Sequence, residues 1–249
     1  MSATALKFTI SGKVAFFKKP DVNEKVYFTY NNIHRIALLG MLGAIIGLDG
    51  YKSYKLFGED PSDFPEFYDK LNLLKVSIIP NAKRGYFSKK IQYFNNSIGF
   101  ASKEEGGNLM VKEQWLENPS WTVYLLKGDA DDNVWNKLQE YILVGKCVYV
   151  PYLGKNDFPA ILSNCTKLEL CGGEFDHIDS IFYGELDQVD DLSETGEELP
   201  FLFREMSPVT LASKYNFYQY KRSIFTNYKL SSSTGLTLFS DKDKVLCFS

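Results

Sequence analysis

Between residues 81 and 110 the chain interleaves cations with aromatic rings: Lys83, Arg84, Lys89 and Lys90 stand among Tyr86, Phe87, Tyr93 and Phe94. Ammonium and guanidinium groups neutralise phosphates, and rings stack on unpaired bases. A second cation pair, Lys18-Lys19, precedes Pro20. Tyr30, Asn31 and Asn32 put a ring and two amides just ahead of His34-Arg35. Other chemistry is thinly supplied. His34 and His177 are the two histidines, which leaves few groups for acid–base work near neutral pH. The four cysteines, Cys147, Cys165, Cys171 and Cys247, include no CxxC pair and lie away from both histidines. They read as free thiols in a reducing compartment, with no zinc site. Asp176 and Asp179 flank His177, and the trio reads as a hydrogen-bonded surface histidine in a loop rather than a metal site. No cofactor is expected.

The charge is unevenly placed. Over 249 residues the net charge is −3, which argues against indiscriminate nucleic-acid binding. Residues 1–112 carry 16 Lys and Arg against 10 Asp and Glu, while residues 113–249 carry 12 against 21. A net of +6 followed by −9 suggests a nucleic-acid contact in the first part and a different task in the second; ordinary surface charge that happens to segregate gives the same count. The opening MSATALKF lacks the apolar run and cleavage-like site of a secretory leader. The run from Leu38 to Leu48 is too short for a bilayer, which needs about 20 apolar residues. A cytoplasmic chain without membrane contact is expected.

The elements that would position these residues follow from periodicity. Leu6, Phe8 and Ile10 alternate with Lys7, Thr9 and Ser11, a strand with one buried face, resumed from Val14 to Phe17 after Gly12. Lys18 to Asp21 is a polar turn, and Val26 to Tyr30 is extended. The stretch Leu38 to Leu48 is apolar except for Gly40, Gly43 and Gly47, spaced three and four apart. That spacing puts bare backbone down one side of a buried helix. A glycine inside a helix costs about 1 kcal/mol relative to alanine, so the strip implies close approach of a neighbour. Asn31 or Asn32 is expected to cap this helix, with its start exposed. A short helix is predicted over 60–71, a strand over Lys75 to Ile79 ended by Pro80, and a long insertion, read as a hairpin projecting from the core, over about 81–118. Then come a strand from Trp121 to Leu126, an amphipathic helix from Asp131 to Leu143 ended at Gly145, and a fourth strand over Cys147 to Val150. This order is the split βαβ arrangement of a ferredoxin-like fold. Beyond residue 160, short strand-like runs cover Ile161–Leu170, Ile178–Tyr183, Phe201–Met206 and Tyr215–Thr226. Residues 185–198 hold seven acids and no base, as in a solvated loop.

Four segments in this order resemble the fifth Cas protein of type I CRISPR systems, the Cas-five family: FTISGKVAFFKKP, YFTYNNIHRIALLGMLGAIIGLDGY, NPSWTVYLL and VYVPYLGKNDFPA. The isoleucine-histidine-basic start of the glycine helix is most similar to the type I-B branch. The resemblance covers most of residues 6–160. It implies an α+β fold in which an RRM/ferredoxin-like domain over 1–160, with a thumb insertion at about 81–118, is followed by a β-rich region over 161–249. It also implies a subunit of Cascade, the RNA-guided DNA-surveillance complex. That subunit caps the 5′ handle of the crRNA, contacts the large subunit and the terminal backbone subunit, and meets target DNA only through the complex.

On that resemblance the phosphate-neutralising candidates are Lys18, Lys19, Lys83, Arg84, Lys89 and Lys90. Tyr30, Tyr86, Phe87 and Tyr93 are the rings that would stack on splayed bases, and Asn31 and Asn32 would hydrogen-bond to RNA. His34 and Arg35 stand at the helix start, where an N-terminus favours phosphate. Some type I-C relatives cut repeat RNA without metal, using tyrosine, lysine and histidine. The scarcity of histidine here, and the lack of a lysine–histidine pair in the insertion, favour a non-catalytic binding subunit. The alternative is a metal-independent processing ribonuclease using His34 with Tyr30, and a third reading is an unrelated β-rich interaction protein.

Overall fold

The structure is a computed structural model that describes residues 2–21, 25–52, 54, 63–95, 99, 103–105, 107, 109–196 and 198–249. In chain order its strands are β1 (Ser2–Ser11), β2 (Val14–Ala15), β3 (Lys75–Pro80), β4 (Lys89–Asn95), β5 (Met110–Glu117), β6 (Ser120–Leu126), β7 (Ile161–Gly172), β8 (Phe182–Tyr183), β9 (Val189–Asp190), β10 (Leu202–Leu211), β11 (Tyr218–Thr226), β12 (Lys229–Leu230), β13 (Thr237–Asp241) and β14 (Lys244–Phe248). The α-helices are α1 (Arg35–Ile46), α2 (Glu66–Leu71) and α3 (Asp132–Val144).

The period-two pattern of β1 does what its sequence requires. Leu6, Phe8 and Ile10 are fully buried against α1, whose Leu38, Leu39, Leu42 and Ile45 belong to the same core. Fully burying such a side chain contributes roughly 1.5–3 kcal/mol, so this layer is the main source of cohesion. β1 is flanked by β6 and β7, and β6 by β3, every pair antiparallel. The order across the sheet is β14-β13-β7-β1-β6-β3. The first four strands in this sheet to be made, β1, β3, β6 and β7, thus sit in the spatial order fourth, first, third, second, with α1 linking the first two and α3 the last two. Asp131 caps α3 by accepting from the N–H groups of Asn133 and Val134, and Gly145 ends it in the left-handed conformation at φ 73°.

Two expectations are corrected here. The β-branched run Cys147–Val150 is not the fourth strand; that place is taken by β7. The N–H groups of Val148 and Tyr149 instead donate to the carbonyls of Ile45 (2.8 Å) and Ala44 (3.1 Å), satisfying the end of α1. Nor does residue 160 divide the chain. β7 is a central strand of the main sheet, β13 and β14 extend that sheet, and Ser249 exchanges two backbone hydrogen bonds with Val76 of β3 (3.0 and 3.1 Å). The chain end thereby covers an edge that would otherwise offer unpaired donors and acceptors. Of the helix predicted over 60–71, Glu66–Leu71 is helical and residues 60–62 lie outside the described ones.

The segment over 81–118 forms an antiparallel hairpin of β4 and β5, joined by β2 at the edge of β5. Its middle is tied down by Lys155, which pairs with buried Glu113 at 2.9 Å among the rings of Phe16, Phe94, Trp115 and Phe158. Gly154, at φ 87°, lies against the backbone of Phe16, where a Cβ would overlap the carbonyl oxygen. The YLGK sequence is therefore a structural fastening for the hairpin. Among the described residues no helix is long and apolar enough to cross a membrane.

Candidate nucleic-acid interface

The polar residues that open α1 are turned inward. His34 is the N-cap: its Nδ1 accepts from the N–H of Ala37 at 3.2 Å, and its ring meets those of Phe17, Tyr30 and Tyr218 edge-on. Burial pushes the imidazole pKa down to about 3, so the ring is neutral near pH 7. Arg35 donates to the carbonyls of Asn72 (2.6 Å) and Leu74 (2.9 Å), pinning α1 to the turn before β3. Asn32 accepts from the Trp121 indole N–H at 3.0 Å, and Asn31 donates to the Gly85 carbonyl at 2.7 Å. The expected exposed helix start is thus corrected. The β10–β11 hairpin lies over it, and Asn31, Asn32, His34 and Arg35 are between 1% and 8% exposed. The cap is His34 rather than Asn31 or Asn32. Phe87 is likewise a core residue, edge-on to Trp121 at 5.0 Å.

Three separate parts of the chain meet beside this covered start. Lys19, just after β2, pairs with Glu205 of β10 at 2.8 Å, and the other carboxylate oxygen accepts from the backbone N–H of Asn31 at 3.0 Å. Lys19 also sits 5.2 Å from the centre of the Tyr30 ring, whose hydroxyl faces that of Tyr220 at 3.4 Å. Lys89, at the base of the hairpin, is half-buried, and its ammonium lies 4.7 Å from the ring centre of exposed Tyr86. Burial lowers the pKa of Lys89; Glu205 opposes that and Lys19 adds to it. Two cations here share one carboxylate, and Lys19 holds it directly. Among the described residues Lys89 has no ion pair. A second anion is what such a site lacks, and a phosphate oxygen would supply it.

The other predicted cations are distributed differently. Lys18 is exposed and rests over the Tyr27 ring at 3.9 Å. Lys90 is close to Glu117 at 3.9 Å, so part of its charge is answered. Lys83 and Arg84 are exposed and line a separate cleft of about 910 Å³ with Asp176, His177, Asp179, Lys229 and Lys244. In that cleft Lys229 pairs with Asp176 (2.8 Å), Lys244 with Asp179 (3.1 Å), and His177 with Asp176 (3.0 Å). Among the described residues no cluster of three His, Cys, Asp or Glu side chains could hold a metal. The six predicted cations therefore do not form one patch.

A third feature is a groove of about 980 Å³ along α1, floored by Ala37, Gly40, Met41 and Ala44 and lined by Phe67, Tyr51, Tyr149, Tyr152, Tyr218, Lys18 and Lys52. The glycine strip is split by it. Gly43 packs against Phe67 of α2, where a Cβ would come within 2.6 Å of the Phe67 Cβ, whereas Gly40 faces the groove. Beside it Val148, Tyr149 and Val150 are 49–69% exposed. A contiguous apolar exposure of this kind marks an interaction surface.

Sequence reading missed Glu205, Tyr218 and Tyr220. Glu205 stands 174 residues from Asn31, and nothing local announces it. The two tyrosines had a signal: they lie in KYNFYQYKR, which interleaves rings and cations as residues 83–94 do.

No protein-family model matches this chain, and no curated protein does. Its fold does match solved structures. It resembles one chain of a structure described as a CRISPR RNA-guided surveillance complex, at 10% identity and a TM-score of 0.51, over 91% of each chain. It resembles a CRISPR protein from Archaeoglobus fulgidus equally well, at 10% identity and a TM-score of 0.51, over 98% of each chain. At this identity the likeness is one of fold: a mixed α/β architecture with mostly antiparallel sheets, shared with CRISPR-associated proteins along nearly the whole chain.

Proposed function

We propose that this chain is the Cas-five-like subunit of a type I, I-B-like, Cascade complex, where it holds the 5′ handle of the crRNA. In this reading the β1-α1-β3-β6-α3-β7 unit is the RRM/ferredoxin-like domain and the β4–β5 hairpin its thumb. The observation that carries the reading is the Lys19–Glu205–Lys89 cluster with Tyr86 beside it: a cation in excess, a ring in solvent, and a rigid backbone beneath. The fold shared with CRISPR proteins supports it from outside the site. The exposed Val148, Tyr149, Val150 and Tyr152 and the groove along α1 provide surface for the large subunit and the terminal backbone subunit. Target DNA is met through the complex, in the cytoplasm.

Binding is favoured over catalysis by the state of His34. A general acid or base must exchange its proton within reach of the attacking 2′-OH. His34 is neutral, buried and committed to capping α1, and burial raises the pKa of Tyr30 beside it. Repeat RNA mixed with the purified chain in EDTA is accordingly expected to be retained uncut. EDTA-resistant cutting at one position, reduced about 10²–10⁴-fold in His34→Ala, would replace the binding subunit with a processing ribonuclease.

A further inference from the structure

The tip of the β10–β11 hairpin displays the two most exposed aromatic rings among the described residues, Tyr215 at 63% and Phe217 at 71%. The rings are nearly parallel, with 19° between planes and 5.9 Å between centres. Large rings left in water beside one another have no role in the core and mark a contact surface. The backbone is shaped to present them. Lys214 and Asn216, on either side of Tyr215, both take left-handed conformations, at φ 67° and 54°, which side chains other than glycine seldom adopt. The tip is also fastened. The N–H of Ala212 donates to Phe217, that of Asn216 to Ala212 and that of Lys214 to Asp63, while the Tyr54 hydroxyl donates to the Lys214 carbonyl.

Charge identifies what the rings face. Residues 206–240 hold four cations, Lys214, Lys221, Arg222 and Lys229, and no acid, inside a half of the chain whose net charge is −9. Lys214 and Lys221 are exposed and make no ion pair with a described residue. The strand leading away from the tip reaches Tyr220 three residues after Phe217, about 10 Å at the rise of a strand, and there the Tyr220 hydroxyl adjoins Tyr30 and the Lys19 cluster. We infer that this hairpin tip is a base-stacking platform for single-stranded RNA, continuing the path from the Lys19–Lys89 cluster, with Tyr215 and Phe217 against bases and Lys214 and Lys221 on phosphates. This rests on the RNA-binding reading above.

The test is the affinity of the full chain for a fluorescein-labelled 15-nucleotide oligouridine, measured by anisotropy across a salt series. Tyr215→Ala and Phe217→Ala are each expected to weaken binding about 5- to 150-fold, the range for losing one stacked base, and the double variant more than either, with the salt slope unchanged because no phosphate contact is lost. Tyr215→Leu with Phe217→Leu keeps apolar bulk without a π face and should lose affinity similarly; Tyr215→Phe with Phe217→Tyr should restore it. Lys89→Ala, which removes the one cation of the cluster without an ion pair to a described residue, should instead lower the magnitude of the slope by about 0.7 for single-stranded RNA. If the ring variants bind as wild type while the lysine variant changes slope, the platform is overturned and the RNA-binding reading stands. Wild-type binding by the leucine variant alone also overturns stacking. If neither set changes anything, both fall. Loss of a protein partner from the ring variants, with RNA affinity intact, would make the tip a protein interface and overturn the inference.

Discussion

Gly43→Leu is expected to be the most damaging single substitution in the helix that sits over the main sheet. A Cβ at position 43 already comes within 2.6 Å of the Cβ of Phe67, and 3.5 Å of its Cα. The neighbour is α2 itself, so relief requires moving a helix, not turning a side chain. Overpacking of this kind costs about 1–3 kcal/mol. That is a large share of a typical stability of about 5–15 kcal/mol, and for a chain of this size it corresponds to a melting point lower by roughly 2–12 °C. Gly43→Ala should fall between the two, because about 1 kcal/mol of helix propensity offsets part of the clash. Adding Phe67→Ala to Gly43→Leu should recover little of the loss, because alanine keeps the Cβ and Cα that the new side chain meets. A melting point for Gly43→Leu within a degree of wild type would mean that α1 and α2 are not packed as described.

Acid should unfold this protein early, and His34 is the reason. Its folded pKa is lowered to about 3, against about 6.5 in an unfolded chain. Between those values the unfolded state binds a proton that the folded state refuses, so stability falls as pH drops below 6.5. At pH 5 the loss is about 2 kcal/mol, and the decline continues towards pH 3. The groups facing the imidazole are the rings of Phe17, Tyr30 and Tyr218, and among the described residues no carboxylate pairs with it to stabilise the charged ring. Denaturant unfolding at pH 7, 6 and 5 measures this directly. His34→Asn retains a capping side chain and should be less stable at pH 7 but flat between pH 6.5 and 5. Wild-type stability that is equally flat over that interval would show that the ring is solvated. His177 is exposed, and His177→Gln serves as the control for the second histidine.

These two residues also show where the sequence was readable. The period-two face of β1, the Asp131 cap and Gly145 stop of α3, and the Pro80 end of β3 are local signals, and local chemistry settles them. The glycine spacing announced a close neighbour of α1 correctly in kind; that the neighbour is Phe67 depends on where α2 docks. Asn31, Asn32, His34 and Arg35 looked like a polar surface because their type is polar. They are instead satisfied inside by Gly85, Trp121, Ala37, Asn72 and Leu74, and the cover over them comes from a hairpin some 170 residues later in the chain. Cys147–Val150 has the composition of a strand, and no propensity reveals that its N–H groups are spent on the end of α1. In the candidate site, Lys19 and Lys89 were legible as cations among rings. Glu205, which makes them a site, was not, since long-range pairing leaves no mark on the local pattern. The aromatic-basic run of β11 did carry the same mark as residues 83–94, and reading it as a strand alone hid its chemistry.

The proposed role is to hold the crRNA by its 5′ handle. The direct measurement is to express it with the genes that neighbour it and a repeat–spacer array, purify through this chain, and sequence the RNA that stays bound. The expected result is a single class of RNA whose 5′ ends share one repeat-derived sequence followed by varied spacers, with crosslinks from those 5′ nucleotides to the Lys19, Tyr86 and Lys89 region. Recovery of the complex with no RNA, with RNA of unrelated sequence, or with crosslinks confined to the spacer would contradict a handle-binding role.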